Sequence, residues 1–137
     1  MRAKQYLKQA YRLNELIQSN QNELDELKEL STNLSGIDYS KDRVQTSPSG
    51  DAGYTNIVLK ILELEDAIKT DIEKLLSLKL EIRTTINEVQ DNEEKLLLKH
   101  RYLNFMTWDD ICELMHVSMR TAHRIHSLAL ENVKVPE

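Results

Sequence analysis

Apolar residues recur along most of the chain at alternating steps of three and four. From Ala3 they fall at Ala3, Tyr6, Ala10, Leu13, Ile17, Asn20, Leu24, Leu27, Ser31 and Leu34, eight of the ten apolar or aromatic. Leu7, Leu16 and Leu30 widen the stripe, and Lys, Gln, Glu and Asn fill the opposite face. This period predicts an amphipathic helix with a coiled-coil seam, from about Arg2 to Leu34 and about 50 Å long at 1.5 Å per residue. The same period returns through Tyr54, Val58, Ile61, Glu65, Ile68, Ile72, Leu75, Lys79, Ile82, Ile86 and Val89, nine of eleven apolar or aromatic. It predicts a second long helix, from Thr55 to about Val89. Two helices of similar length joined by one connection can pack as an antiparallel hairpin. The polar seam positions Asn20, Glu65 and Lys79 could fix its register.

Between the helices, Ser35 to Tyr54 shows no sustained period and holds all three glycines and one of the two prolines. Its Ser, Gly and Pro content predicts a mobile loop over 35–54. A segment with a task of its own is the alternative. Beyond Val89 the pattern shortens. Gln90-Asp91-Asn92 breaks the helix, and Asp91 or Asn92 can cap the next, with Glu93 and Glu94 in its first turn. That helix is expected to run to about Leu103. Thr107 and Asp110 then have capping spacing before TWDDICELM, which sets Trp108, Ile111, Cys112 and Met115 on one side. His116-Val117 make a turn, and Ser118 is a suitable N-cap for the last helix. On it Ala122, Ile125 and Ala129 form the inward face, while Arg120, His123, Arg124 and Ser127 fall on the opposite one. The fold class expected is therefore all-α: a coiled-coil-like helical hairpin over 1–90, then a three-helix helix-turn-helix domain over 91–137.

Composition supports long helices, since Gly and Pro together number only five of 137 residues. No apolar run approaches the ~18 residues that cross a membrane. The N-terminus lacks a signal peptide's apolar stretch, and one cysteine, Cys112, forms no intrachain disulfide. A cytoplasmic location is expected, with no membrane partner. A net charge of −5 points away from nucleic acid when averaged over the chain. Its distribution changes that reading. Residues 1–92 hold 12 Lys/Arg against 16 Asp/Glu, and residues 93–137 hold 6 against 7. Ser118 to Leu130 contains Arg120 and Arg124 and no acid.

Helix-turn-helix chemistry accounts for the residue types in the last helix. Ser118 and the free N–H groups of its first turn can meet a phosphate. Arg side chains can reach guanine O6 and N7 or the backbone. Other chemistries find less support. His123 and His126 are close on a helix, but no Cys or carboxylate cluster completes a metal site, so no metal is expected. Cys112 sits on an apolar side as a small hydrophobe. Trp108 could stack on a nucleotide, although packing beside Tyr102 and Phe105 is the expectation. Asp109 and Asp110 are neighbours that do not share a helix face, and capping explains them. No phosphate-binding glycine loop exists. Neither a cofactor nor enzyme activity is expected.

The segment from Glu93 to Val133 resembles region 4 of bacterial sigma factors. Arg101-Tyr102, Thr107, Ile111, Leu114, Val117-Ser118 and Ala129-Leu130 carry the resemblance. His116 stands where that pattern usually has Gly; if the turn needs φ > 0, His tolerates it better than a β-branched residue. The wider layout of AKQYLKQAYRLNELI, the QTSPSGD loop and this tail is similar to small phage and prophage proteins of Gram-positive bacteria. Those are grouped with late-gene transcription regulators of the ArpU and RinA type or described as of unknown function. The resemblance implies a DNA-binding transcription regulator in a bacterial host cell, with base-facing side chains at Met119, Arg120, His123 and Arg124. The DNA-binding set expected is Ser118, Met119, Arg120, Thr121, His123, Arg124 and Ser127. Partners expected are double-stranded DNA and further copies of the chain, a homodimer or higher homo-oligomer through the hairpin, with RNA polymerase a further candidate. Two alternatives stand beside the regulator: a small terminase-like DNA-recognition subunit of a phage packaging machine, and a helical structural protein that binds no DNA.

Overall fold

A computed structural model describes residues 1–40 and 48–137. The chain is all-α, with no strand among the described residues. The helices are α1 (Ala3–Ser40), α2 (Pro48–Asn87), α3 (Asn92–Leu98), α4 (Trp108–Met115) and α5 (Met119–Asn132). A wide turn over Lys99–Leu103 continues α3.

Both long helices extend into the segment expected to be a loop. α1 continues past Leu34 to Ser40, and α2 starts at Pro48 rather than Thr55. Proline suits a first helical position, where its missing N–H would have no partner, and a glycine inside a helix costs only about 1 kcal/mol. Neither residue type therefore forbids helix on these flanks. The expected mobile loop is thus corrected at 35–40 and 48–54, and 41–47 lie outside the described residues.

The chain divides into two compact units, and the division is not the one expected. One unit joins Met1–Asn14 to Lys74–Glu137, and the other is Glu15–Glu73. The units are not divided near residue 90, and packing gives the reason. Tyr6, Leu7 and Ala10 from α1, and Ile82, Ile86 and Val89 from the second long helix, share one buried cluster with Leu98, Tyr102, Ala129 and Val133. The terminal turns of both long helices thus belong to the core of the C-terminal unit. Tyr6 Oη and Thr85 Oγ1 meet at 3.3 Å inside it.

A second cluster in the same unit gathers Leu97, Ile111, Ala122 and Ile125, with Trp108, Cys112, Met115 and Val117 against it. Leu97, Ile111 and Ala122 are fully buried there. Among the described residues of Glu15–Glu73, the buried hydrophobics are the seam residues Ile17, Leu24 and Ile68. Lys28 Nζ and Glu65 Oε2 form an exposed ion pair at 3.3 Å, a contact worth about 0.2–1 kcal/mol. No helix among the described residues is long and apolar enough to cross a membrane.

Candidate nucleic-acid interface

Each helix of the tail starts on a side-chain cap. Asp91 Oδ1 accepts from the Glu94 N–H at 3.0 Å. Thr107 Oγ1 accepts from the Asp110 N–H at 3.2 Å, and Ser118 Oγ accepts from the Thr121 N–H at 3.1 Å. These bonds satisfy donors that a helix start leaves free. The wide turn after α3 is closed by Asn104 N–H to Lys99 O at 3.0 Å and Met106 N–H to His100 O at 3.0 Å. Phe105, with φ 55°, turns the chain out of it.

The α4–α5 turn is a Schellman motif. His116 is left-handed, at φ 57° and ψ 46°. Val117 N–H reaches Cys112 O at 3.1 Å, and His116 N–H reaches Glu113 O at 3.4 Å. That is the 6→1 and 5→2 pair of the motif. Cys112 and Val117 both pack on the second cluster, as its hydrophobic contact requires. The positive φ foreseen as a condition at His116 is thus present, in a residue that lacks glycine's freedom.

On α5, Ala122, Ile125, His126 and Ala129 are buried. Arg120, His123, Arg124 and Ser127 are exposed, and Met119 is exposed at its start. The structure brings Arg120, His123, Arg124 and Ser127 onto one outer face. Ser118 and Thr121 serve differently. The Ser118 hydroxyl accepts from the Thr121 backbone and donates to Thr121 Oγ1 at 3.0 Å, so both side chains are tied into the cap. Met119 Sδ lies 4.0 Å from Cys112 Sγ, beside α4.

His126 is the residue to which the sequence alone assigns no role. Its ring is buried and its Nε2 lies 2.7 Å from Tyr102 Oη. Burial first, then the charges of Lys4, His123, Arg101 and Lys8, pull its pKa down to about 4. Burial likewise pushes the Tyr102 hydroxyl up to about 12, against a smaller opposing effect of Arg101. Both groups are therefore neutral at pH 7, and a single hydrogen bond joins them. The available signal was its spacing: His126 lies four residues after Ala122 and three before Ala129, on the inward face.

Trp108 packs on these histidines rather than beside Phe105. Its ring lies 4.4 Å from His123 and 4.9 Å from His126 between centroids. The Arg101 guanidinium sits 4.8 Å from the Trp108 centroid and donates from Nη1 to Met106 O at 2.9 Å. Phe105 instead contacts Tyr11 edge-on at 5.8 Å, under the Lys79 ammonium at 4.7 Å. Glu94 is buried as well, and Asn132 Nδ2 donates to its Oε1 at 2.6 Å, tying α5's end to α3.

The division into units also redraws the charge. Met1–Asn14 with Lys74–Glu137 holds 13 Lys/Arg against 10 Asp/Glu, a net of +3. Glu15–Glu73 holds 5 against 13, a net of −8. The acidity assigned to the first two-thirds of the chain belongs to its middle.

Caps, turn and outer face together define an all-α chain whose C-terminal unit presents a cationic helix on a packed support. The chain belongs to the family described as "Protein of unknown function (DUF1492)", whose model matches residues 33–134. No curated protein and no solved structure matches it.

Proposed function

We propose that the chain is a sequence-specific DNA-binding transcription regulator that reads the major groove with α5. The observation that carries this reading is the outer face of α5. Arg120, His123, Arg124 and Ser127 project from a helix whose other side is fixed by buried Ala122, Ile125 and Ala129. A capped helix, a tight turn and a second capped helix are the parts that hold such a face in a groove. The unit's net charge of +3 removes the objection raised by the acidic average.

Arg120 and Arg124 are the first base or phosphate contacts, with His123 and Ser127 beside them. Met119 fits an apolar contact at the start of the helix, and Ser118 and Thr121 act through the cap and its backbone N–H groups. The likeness to sigma region 4 and to ArpU- and RinA-type proteins supports a phage or prophage regulator working in the bacterial cytoplasm. RNA polymerase is a candidate partner. A second copy of the chain is the partner proposed for Glu15–Glu73, where Leu16, Leu30, Leu59, Leu62 and Ile72 are half exposed or more.

Selection of bound sequences from a random duplex pool tests the reading. The full chain is expected to enrich a defined site, and a folded Arg120→Ala/Arg124→Ala variant to lose that enrichment, each bidentate contact being worth about 1–3 kcal/mol of discrimination. No duplex binding at low salt, or enrichment unchanged in the variant, overturns it. Solution mass separates a regulator from a packaging subunit: a dimer favours the first, a ring of many copies the second.

A further inference from the structure

Before Glu15 the chain carries Arg2, just ahead of α1, then Lys4, Lys8 and Arg12 within it, and no acidic residue. Lys4, Lys8 and Arg12 are four residues apart and form one row along the helix. The orientation of that row is set by packing, because Tyr6, Leu7 and Ala10 turn the neighbouring face into the core shared with α5. With Arg2, Gln5 and Gln9 it lines a shallow depression of about 470 Å³. Among the described residues, none of the three cations pairs with a carboxylate.

The row lies near α5. Lys4 and Lys8 act on His126 through their charge, together with Arg101 and His123. Arg101 and His123 in turn contact the Trp108 ring. Tyr6, Leu7 and Ala10, beside the row on α1, share one buried cluster with Tyr102 of the wide turn and Ala129 of α5, so the start of α1 packs against both. A row of flexible cations beside a groove-reading helix has the chemistry of backbone contacts. Such contacts neutralise phosphates whatever the base sequence.

We infer that the Lys4–Lys8–Arg12 row is the phosphate-gripping half of the DNA interface, holding the strand that borders the groove entered by α5. This rests on the reading of α5 as the base-contacting helix. It adds a second contact surface, more than a hundred residues away in sequence, that acts on affinity and not on sequence choice.

The test is the salt dependence of duplex binding by the full chain and by a Lys4→Gln/Lys8→Gln/Arg12→Gln variant. Each lost phosphate contact removes about 0.9 from the slope of log K against log salt, so the slope is expected to fall by about 2–3. Affinity is expected to drop by the same factor on the selected site and on an unrelated duplex. A Lys4→Arg/Lys8→Arg variant keeps the charge and is expected to keep the slope. Circular dichroism confirms that each variant is folded. Wild-type binding with an unchanged slope in the glutamine variant overturns this inference alone. A fall in affinity confined to the selected site also overturns it. No wild-type binding at low salt overturns the reading of α5 as well.

Discussion

In Glu15–Glu73 the two long helices bury Ile17, Leu24 and Ile68 and leave Leu59, Leu62 and Ile72 half exposed. The ends of the same helices, in the other unit, bury Leu7, Ala10, Ile82 and Ile86 completely. The hydrophobic period is the same in both regions, so what differs is the number of partners. Near the termini, α3, the wide turn and α5 cover the stripe; in the middle, one helix faces one other. The middle is also strongly acidic, with a net of −8 against +3 for the terminal unit. A period tells which face is apolar, but it does not tell how much of that face the fold covers.

The largest effects should follow this contrast. Leu97→Ala empties a fully buried site between α3 and the second cluster, and is expected to cost about 2–5 kcal/mol in denaturant unfolding. Leu59→Ser/Leu62→Ser in the middle should change the stability of the isolated monomer by less than about 0.5 kcal/mol per site. The same change should lower the solution mass if a second copy covers the stripe. Raised salt should favour association of the wild type, because it screens two acidic surfaces from each other. A double mutant with unchanged mass would remove the stripe from the interface.

Acid should weaken the terminal unit through His126. Folded, that ring titrates near 4, against 6.5 for an unperturbed histidine. The unfolded chain takes the proton first as pH falls. Stability from this group is therefore complete above about pH 6.5 and is lost progressively toward pH 4. Denaturant midpoints across that range should decline less in His126→Gln than in the wild type. A small effect of opposite sign is expected at the α4–α5 turn. His116 holds φ 57°, so His116→Gly should raise the thermal midpoint, the left-handed strain of about 1–2 kcal/mol exceeding glycine's entropic cost of about 0.5–1.

Much of the tail was legible because its signals are local. Asp91, Thr107 and Ser118 announce their helices through side chains that reach backbone three residues on. Ala122, Ile125 and Ala129 mark the inner face of α5 by spacing alone. What escaped was long-range. Nothing local says that Tyr6 and Leu7 pack with Tyr102 and Ala129, or that Lys4 and Lys8 act on His126. The charge balance was misread for the same reason, since a boundary drawn along the sequence averaged a basic helix start with an acidic middle. Turn formers misled at 35–40 and 48–54, because Pro48 begins a helix as readily as it ends one.

The central claim is that DNA meets the cationic unit alone, through α5 and the start of α1. Amide chemical shifts of the full chain, followed while a selected duplex is titrated in, test it most directly. The account predicts shifts concentrated in Ser118–Ser127 and in the first dozen residues, with Glu15–Glu73 nearly silent. Shifts centred on Glu15–Glu73, or none anywhere at low salt, would contradict it.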